Sequence, residues 1–86
     1  MSEKLYVGNL NFSTLEDTLE KVFSRYGEIT SVSIIKDRNT DKSKGFGFIE
    51  YSDSSSIQKA VSAMDGKELD GRKLRVSVAQ DRNSHN

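Results

Sequence analysis

The octamer KGFGFIEY at residues 44–51 most constrains what this chain can form. Aromatic and apolar residues with two interspersed glycines are typical of a β-strand, whose successive side chains point to opposite faces of a sheet. The residues that share one face of this strand are Lys44, Phe46, Phe48 and Glu50. We expect Ile49 and Tyr51, on the other face, to lie in the core, because charges bracket the first face. Two phenylalanines on that charged face then require a ligand or a cover.

Length and composition favour one small intracellular domain. The chain has 86 residues, of which 34% are hydrophobic and 30% charged. A domain of this size buries about 60 to 70% of the surface that its unfolded chain exposes, so that one modest core is expected. No apolar run approaches the ~20 residues of a membrane span, and no secretory signal opens the sequence. We therefore expect an intracellular, cytoplasmic protein without a membrane partner, although a nucleus or an organelle is also compatible.

Residue counts exclude several kinds of site. The chain contains no cysteine, which excludes disulfides and thiolate metal sites. His85 is the sole histidine and has no metal-ligating neighbour in its polar surroundings, so we predict neither a metal nor a cofactor. Thirteen basic and thirteen acidic residues cancel, so that no strong overall field attracts a polyanion. The neutral total conceals a basic loop at 36–44 and an acidic segment at 10–30.

The first part of the chain predicts a strand followed by a helix. The short apolar run at 5–10 favours a strand. Ser13 or Thr14 offers an N-cap for a helix that Gly27 ends. The apolar stripe of this helix consists of Leu15, Leu19, Val22, Phe23 and Tyr26.

A hairpin is predicted in the middle of the chain. In the segment 29–36, Val32 and Ile34 alternate with serines, which is typical of a strand with one buried face, and Ile35 points outward. The segment 37–43 is rich in turn-forming residues and contains no apolar residue. It is therefore expected to be an exposed loop that leads into the octamer.

The last part of the chain predicts a second helix and a last strand. The serine-rich segment 52–56 supplies helix caps, and Gly66 ends the helix. The apolar stripe of this helix consists of Ile57, Ala60, Val61 and Met64. A turn around Gly71 precedes a strand at 74–79, in which apolar and outward-facing residues alternate.

The order of elements is β-α-β-β-α-β, which predicts a four-stranded sheet with both helices on one face. Right-handed crossovers place the two helices on the same side of the sheet. The other face stays bare and carries Tyr6, Phe46 and Phe48. An exposed aromatic patch of this kind marks an interaction site. Nucleic-acid bases suit it well, because each base stacked on a ring gains about 1 to 3 kcal/mol.

These residues resemble the RNA-recognition motif family. The octamer KGFGFIEY fits the family's RNP octamer at every patterned position, with Ile49 in place of the common valine. The hexamer LYVGNL at residues 5–10 matches the second RNP motif. The resemblance covers residues 3–81 as one domain and leaves 82–86 as a short polar tail. It implies the α+β, ferredoxin-like fold of that family, a sandwich of a four-stranded antiparallel sheet and two helices.

The resemblance implies binding of single-stranded RNA without catalysis. In the family, rings at these motif positions stack on bases, and here they are Tyr6, Phe46 and Phe48. Lys44 corresponds to the basic residue that contacts phosphate or base. The other polar candidates for RNA contact are Asn9, Arg38, Lys42, Glu50, Arg75, Ser77 and Gln80. Single-stranded DNA is a second candidate ligand, and we expect a monomer.

Other roles compete with RNA binding. An acylphosphatase of similar architecture needs an arginine in the loop after the first strand, and residues 11–14 contain none; a copper chaperone needs a CxxC motif. No cluster of titratable groups suggests acid–base chemistry, so we expect no enzyme. The alternative is a protein-interaction module that uses the sheet or the acidic first helix. The C-terminal tail or a dimer partner could also cover Phe46 and Phe48, and Asn9 could bond the backbone at its strand end.

Overall fold

A computed structural model describes residues 3–80 of the chain. Its strands, in chain order, are β1 Glu3–Gly8, β2 Ile29–Lys36, β3 Ser43–Tyr51, β4 Glu68–Leu69, β5 Arg72–Lys73 and β6 Arg75–Gln80. Its helices are α1 Glu16–Phe23, a 3-10 helix at Ser24–Tyr26 that extends α1, and α2 Ser55–Met64.

Four strands form one antiparallel sheet in the order β2-β3-β1-β6. The central strand β1 places Leu5 opposite Ile49 of β3 and opposite Val78 of β6. The short strands β4 and β5 pair only with each other, as a separate hairpin. The four-stranded antiparallel sheet and its two helices confirm the predicted α+β, ferredoxin-like fold.

The core lies between the helices and one face of the sheet. Every second side chain of a strand points to this face. The buried hydrophobic residues from the sheet strands are Leu5, Val7, Ile34, Ile49, Tyr51 and Val76. The buried residues from the helices include Leu19, Phe23, Ile57, Ala60 and Met64. The predicted orientation of β3 is confirmed, since Ile49 and Tyr51 lie in the core.

The first helix begins differently from the prediction. Leu15 is the N-cap residue and has extended backbone, with φ −101° and ψ 160°. It therefore does not continue the helical stripe, and its side chain is 65% exposed. The predicted place of Leu15 in the core is wrong. The expected cap at Ser13 or Thr14 is wrong as well, because the Thr14 hydroxyl is buried and donates to Asp70 Oδ2 at 2.7 Å.

The second helix is capped by an aspartate rather than by a serine. Asp53 Oδ1 accepts a hydrogen bond from the backbone N–H of Ser55 at 3.0 Å, whereas Ser54 makes no side-chain bond to the helix. This hydrogen bond holds the pKa of the Asp53 carboxyl below its usual range. At the other end Gly66 has φ 85°, as expected of a glycine that follows a helix.

The octamer glycines let β3 bend and approach β2 closely. The pairing of the two strands shifts register between Ile34 and Lys36. Gly45, in the facing part of β3, has φ 88°, a conformation that favours glycine. A Cβ atom on Gly47 would lie 3.1 Å from the Ile34 Cα atom. Side chains at these two positions would therefore disturb the pairing of β3 with β2.

Candidate nucleic-acid interface

Three aromatic rings form one cluster on the sheet face opposite the helices. Tyr6 on β1 lies directly opposite Phe48 on β3, and Phe46 lies on the same face of β3. The ring centroids are 6.0 Å apart for Tyr6 and Phe46, 5.9 Å for Tyr6 and Phe48, and 6.0 Å for Phe46 and Phe48. All three side chains are partly exposed. We refer to Tyr6, Phe46 and Phe48 together as the aromatic platform.

Gly8 makes room for the Tyr6 ring on the sheet surface. A Cβ atom on Gly8 would lie 2.7 Å from both Cε2 and Cζ of Tyr6. Real Cβ atoms do not approach carbon atoms so closely, so a larger residue would displace the ring. The glycine of the hexamer therefore allows the Tyr6 ring to lie over the backbone at this position.

Polar residues surround the platform. On β6, Ser77 lies opposite Tyr6 and Arg75 lies opposite Gly8, and both side chains are exposed. Lys44, at the start of the octamer, is exposed as well. The predicted residues Lys44, Arg75 and Ser77 are thus close to the rings in the sheet. Gln80 pairs through its backbone with Glu3, and its side chain lies outside the described part of the structure.

A lysine–glutamate pair borders the platform at Phe48. Lys4 Nζ lies 3.6 Å from Glu50 Oε2, and it lies 6.0 Å from the centroid of the Phe48 ring. Glu50 was among the predicted contacts, whereas Lys4 was not. The sequence does not reveal how β1 pairs with β3, and only that register brings Lys4 beside Glu50.

Asn9 connects the end of β1 to the short β4–β5 hairpin. Its backbone is left-handed, with φ 57°, so β1 ends at Gly8 rather than continuing to Leu10 as predicted. Its side-chain Nδ2 donates to the Lys73 carbonyl at 2.6 Å, and its Oδ1 accepts from Arg72 Nη2 at 2.6 Å. Both ends of the amide are therefore used within the protein, which favours the backbone-bonding alternative over an RNA contact.

The basic loop carries two of the predicted RNA contacts. Arg38 and Lys42 lie between β2 and β3, and both are exposed. Asp37 orders this loop, because its carboxylate accepts hydrogen bonds from the backbone N–H groups of Asn39 and Thr40. Those bonds hold the pKa of the Asp37 carboxyl below its usual range. The loop thus presents its basic side chains to solvent at one end of the sheet.

Phe12 is an exposed ring that the sequence patterns did not single out. Its side chain is 70% exposed, and its Cε1 atom would lie 3.2 Å from a Cβ atom on Gly45. The ring therefore lies against the first glycine of the octamer. Its position in a loop without periodicity gave no indication of this contact.

Two classes of feature are absent from the part of the chain that the structure describes. Within residues 3–80, no three side chains of histidine, cysteine, aspartate or glutamate are grouped so as to hold a metal ion. In the same range, no helix has the length and apolar character needed to cross a membrane.

Comparisons with known proteins agree with this geometry. The family model of the RNA recognition motif matches residues 5–75. Among solved structures, the crystal structure of RNA-binding protein PG1 superposes with a TM-score of 0.89 at 40% identity, covering 96% of this chain and 100% of that one. The second RRM domain of the yeast poly(U)-binding protein Pub1 superposes with a TM-score of 0.84 at 30% identity, covering 95% of this chain and 99% of that one.

Curated relatives are longer than this chain. The glycine-rich RNA-binding protein 4, mitochondrial, of Arabidopsis thaliana is 45% identical over 84 residues, which are 98% of this chain and 62% of the relative. The glycine-rich RNA-binding protein of Daucus carota is 44% identical over 81 residues, which are 94% of this chain and 52% of the relative. The chain thus spans less than two thirds of either relative. The family match and these identities establish that the chain belongs to the RNA recognition motif family.

Proposed function

We propose that this chain binds single-stranded RNA on the open face of its sheet by stacking bases on the aromatic platform. The observation that carries the proposal is the mutual contact of Tyr6, Phe46 and Phe48 on the face without helices. The relatives add support, because their names describe RNA-binding proteins.

Stacking supplies most of the affinity in this proposal. Three rings at about 1 to 3 kcal/mol per base give a gross gain of roughly 3 to 9 kcal/mol. The cost of ordering the RNA strand opposes this gain, and hydrogen bonds from the strand edges add to it. The net free energy is about −8 kcal/mol, which corresponds to a dissociation constant of about 1 μM.

The same geometry favours single strands over duplexes. Paired bases are stacked on one another and leave no face free for Phe46, Phe48 or Tyr6. Single-stranded DNA presents the same aromatic faces and is the second ligand of the proposal. In this proposal, the exposed side chains of Lys44 and Arg75 contact the phosphates of the RNA.

The proposed role is binding without catalysis. Acyl or phosphoryl transfer requires a nucleophile beside a base, or a cradle of phosphate-binding groups. The platform consists of aromatic rings with glycine backbone between them, which supplies a stacking surface rather than a proton acceptor.

Fluorescence anisotropy with one labelled RNA tests the proposal. The same short strand is titrated alone and after annealing to its complement as a blunt duplex. We expect the single strand to bind about tenfold or more tightly than the duplex. Equal affinity for the two forms would contradict stacking on the platform.

The compartment and the oligomeric state stay predictions. Three relatives from Arabidopsis thaliana are named as mitochondrial, so an organelle is as compatible with the relatives as the expected cytoplasm. A monomer is expected because the platform needs an open sheet face to receive RNA.

A further inference from the structure

We infer that Lys4 and Glu50 form hydrogen bonds with the edge of the base that stacks on Phe48. These bonds make the chain prefer guanine at that position. The inference rests on the proposed function, since it concerns a base that lies on the platform. It adds selectivity to a surface whose rings accept any base.

The position of the pair supports this role. Lys4 Nζ lies 6.0 Å from the Phe48 centroid, and Glu50 follows Phe48 on the same face of β3. Residues two apart on a strand are about 7 Å apart, which is within the reach of the edge of a stacked base. The base on Phe48 therefore presents its edge to both charged groups.

The neighbours of the pair leave it accessible. Glu50 lies opposite Ser31 on β2, and Lys4 lies opposite Ala79 on β6. These two cross-strand neighbours, both within the described part of the chain, have small side chains that leave room beside the pair. The side chains of Lys4 and Glu50 are 39% and 36% exposed, respectively.

Guanine is the base whose edge complements the pair best. Its Watson–Crick edge carries the N1–H and N2–H₂ donors side by side, and the two oxygens of the Glu50 carboxylate can accept both. Its O6 acceptor, next to N1, can accept from the Lys4 ammonium group. Charge-assisted and bidentate hydrogen bonds of this kind are the strong ones.

The other bases make fewer bonds to the same groups. Adenine and cytosine each offer one amino group beside a ring acceptor that repels the Glu50 carboxylate. Uracil offers a single N3–H between two carbonyl oxygens. The predicted order therefore has guanine first, with about 5- to 150-fold discrimination available from one good bidentate pair.

The ion pair between Lys4 and Glu50 can exchange partners at little cost. Solvent-exposed pairs contribute little to stability, so opening this one to admit a base does not threaten the sheet. A role limited to holding β1 against β3 is the competing interpretation, and it predicts no dependence on the base.

Anisotropy titrations with four short uridine strands distinguish these roles. One strand is uridine throughout, and the others carry a single central guanine, adenine or inosine, which lacks the 2-amino group. An RNA that can shift along the platform will bind with its single guanine on Phe48, because the inference makes that position the most favourable for guanine. We expect the guanine strand to bind about tenfold more tightly than the uridine strand, with inosine in between.

A variant of Glu50 tests the inference, and a matched variant elsewhere serves as its control. Glu50→Gln keeps the side-chain size but replaces one acceptor with a donor, so that guanine should lose its advantage over uridine. Glu20→Gln makes the same change at an exposed position on α1 and should bind like the unaltered chain.

Two outcomes would overturn the inference while leaving stacking intact. One is equal binding of all four strands by the unaltered chain; the other is an unchanged guanine preference in Glu50→Gln. Equal weakening on every strand in Glu50→Gln is a form of the second outcome, because it leaves the guanine preference unchanged and assigns Glu50 a purely structural role. If no strand binds the unaltered chain, the proposed function itself fails, and the inference fails with it.

Discussion

The carboxylate of Glu16 accepts a hydrogen bond from the backbone N–H of Ile34 at 2.9 Å. The bond joins the first turn of α1 to β2 where the pairing of β2 with β3 begins to shift register. Because β2 is an edge strand of the sheet, its amides that point away from β3 have no ladder partner. Glu16 therefore ties the start of α1 to the edge of the sheet.

Replacing Glu16 should destabilise the chain more than replacing another glutamate of α1. Glu16→Ala leaves the Ile34 amide without its partner, and we expect the free energy of unfolding to fall by about 1 to 3 kcal/mol. Glu20→Ala, at an exposed position of the same helix, should change it by about 0.5 kcal/mol or less. Urea denaturation of both variants measures the difference, and equal effects would show that the bond contributes nothing.

Removing two rings of the platform should abolish RNA binding without unfolding the protein. The variant Phe46→Ala/Phe48→Ala loses two stacking surfaces, so affinity for single-stranded RNA should fall by at least about 30-fold. Its free energy of unfolding should fall by less than about 2 kcal/mol, because both rings are partly exposed.

A core phenylalanine supplies the matched control for that variant. Phe23 is fully buried, and Phe23→Ala should cost about 3 to 5 kcal/mol of stability. Thermal melting of the two variants compares them directly. A collapse of the melting temperature in the platform variant would place its rings in the core instead.

Salt should weaken RNA binding only moderately. The net charge is zero. We expect Lys44, Arg75 and the loop residues Arg38 and Lys42 to neutralise about two to four phosphates. With about −0.7 per phosphate for single strands, log affinity against log salt should have a slope of roughly −1.4 to −2.8. Lys44→Ala should flatten the slope by less than about one unit, whereas Lys59→Ala on α2 should not change it. A slope steeper than about −5 would assign the binding to charge rather than to stacking.

High pH should destabilise the fold through Tyr51. Burial, with a smaller contribution from the charge of Tyr26, raises the pKa of Tyr51 from 10.0 to about 12. The folded chain thus holds this proton more tightly than the unfolded chain. The resulting stability is fully present below about pH 10 and is lost as the pH rises from there toward 12.

Denaturation at several alkaline pH values measures this loss. Tyr51→Phe removes the titrating group and should flatten the alkaline fall, although it also removes the hydrogen bond to the Phe23 carbonyl at 2.8 Å. An equally steep fall in Tyr51→Phe would assign the alkaline sensitivity to other groups.

The alternation of side chains along the sequence predicted which face of a strand each residue occupies. The two faces of β3 follow from the octamer alone, which separated Ile49 and Tyr51 from the aromatic platform. Contacts between residues that are far apart in the sequence could not be predicted from this alternation. Thr14 looked like a helix cap because its partner Asp70 lies 56 residues away, and Lys4 was overlooked because its importance depends on the register of β1 against β3.

Tyr6 gives the chain an intrinsic optical reporter on its open face. The sequence holds three tyrosines and no tryptophan. Tyr51 and Tyr26 belong to the core and its margin on the helical side of the sheet. The tyrosine fluorescence of the chain therefore comes from Tyr6 on the open face and from two tyrosines that RNA bound to the platform does not touch. Quenching of the Tyr6 component would follow RNA binding without any attached dye, and Tyr6→Phe would remove that component.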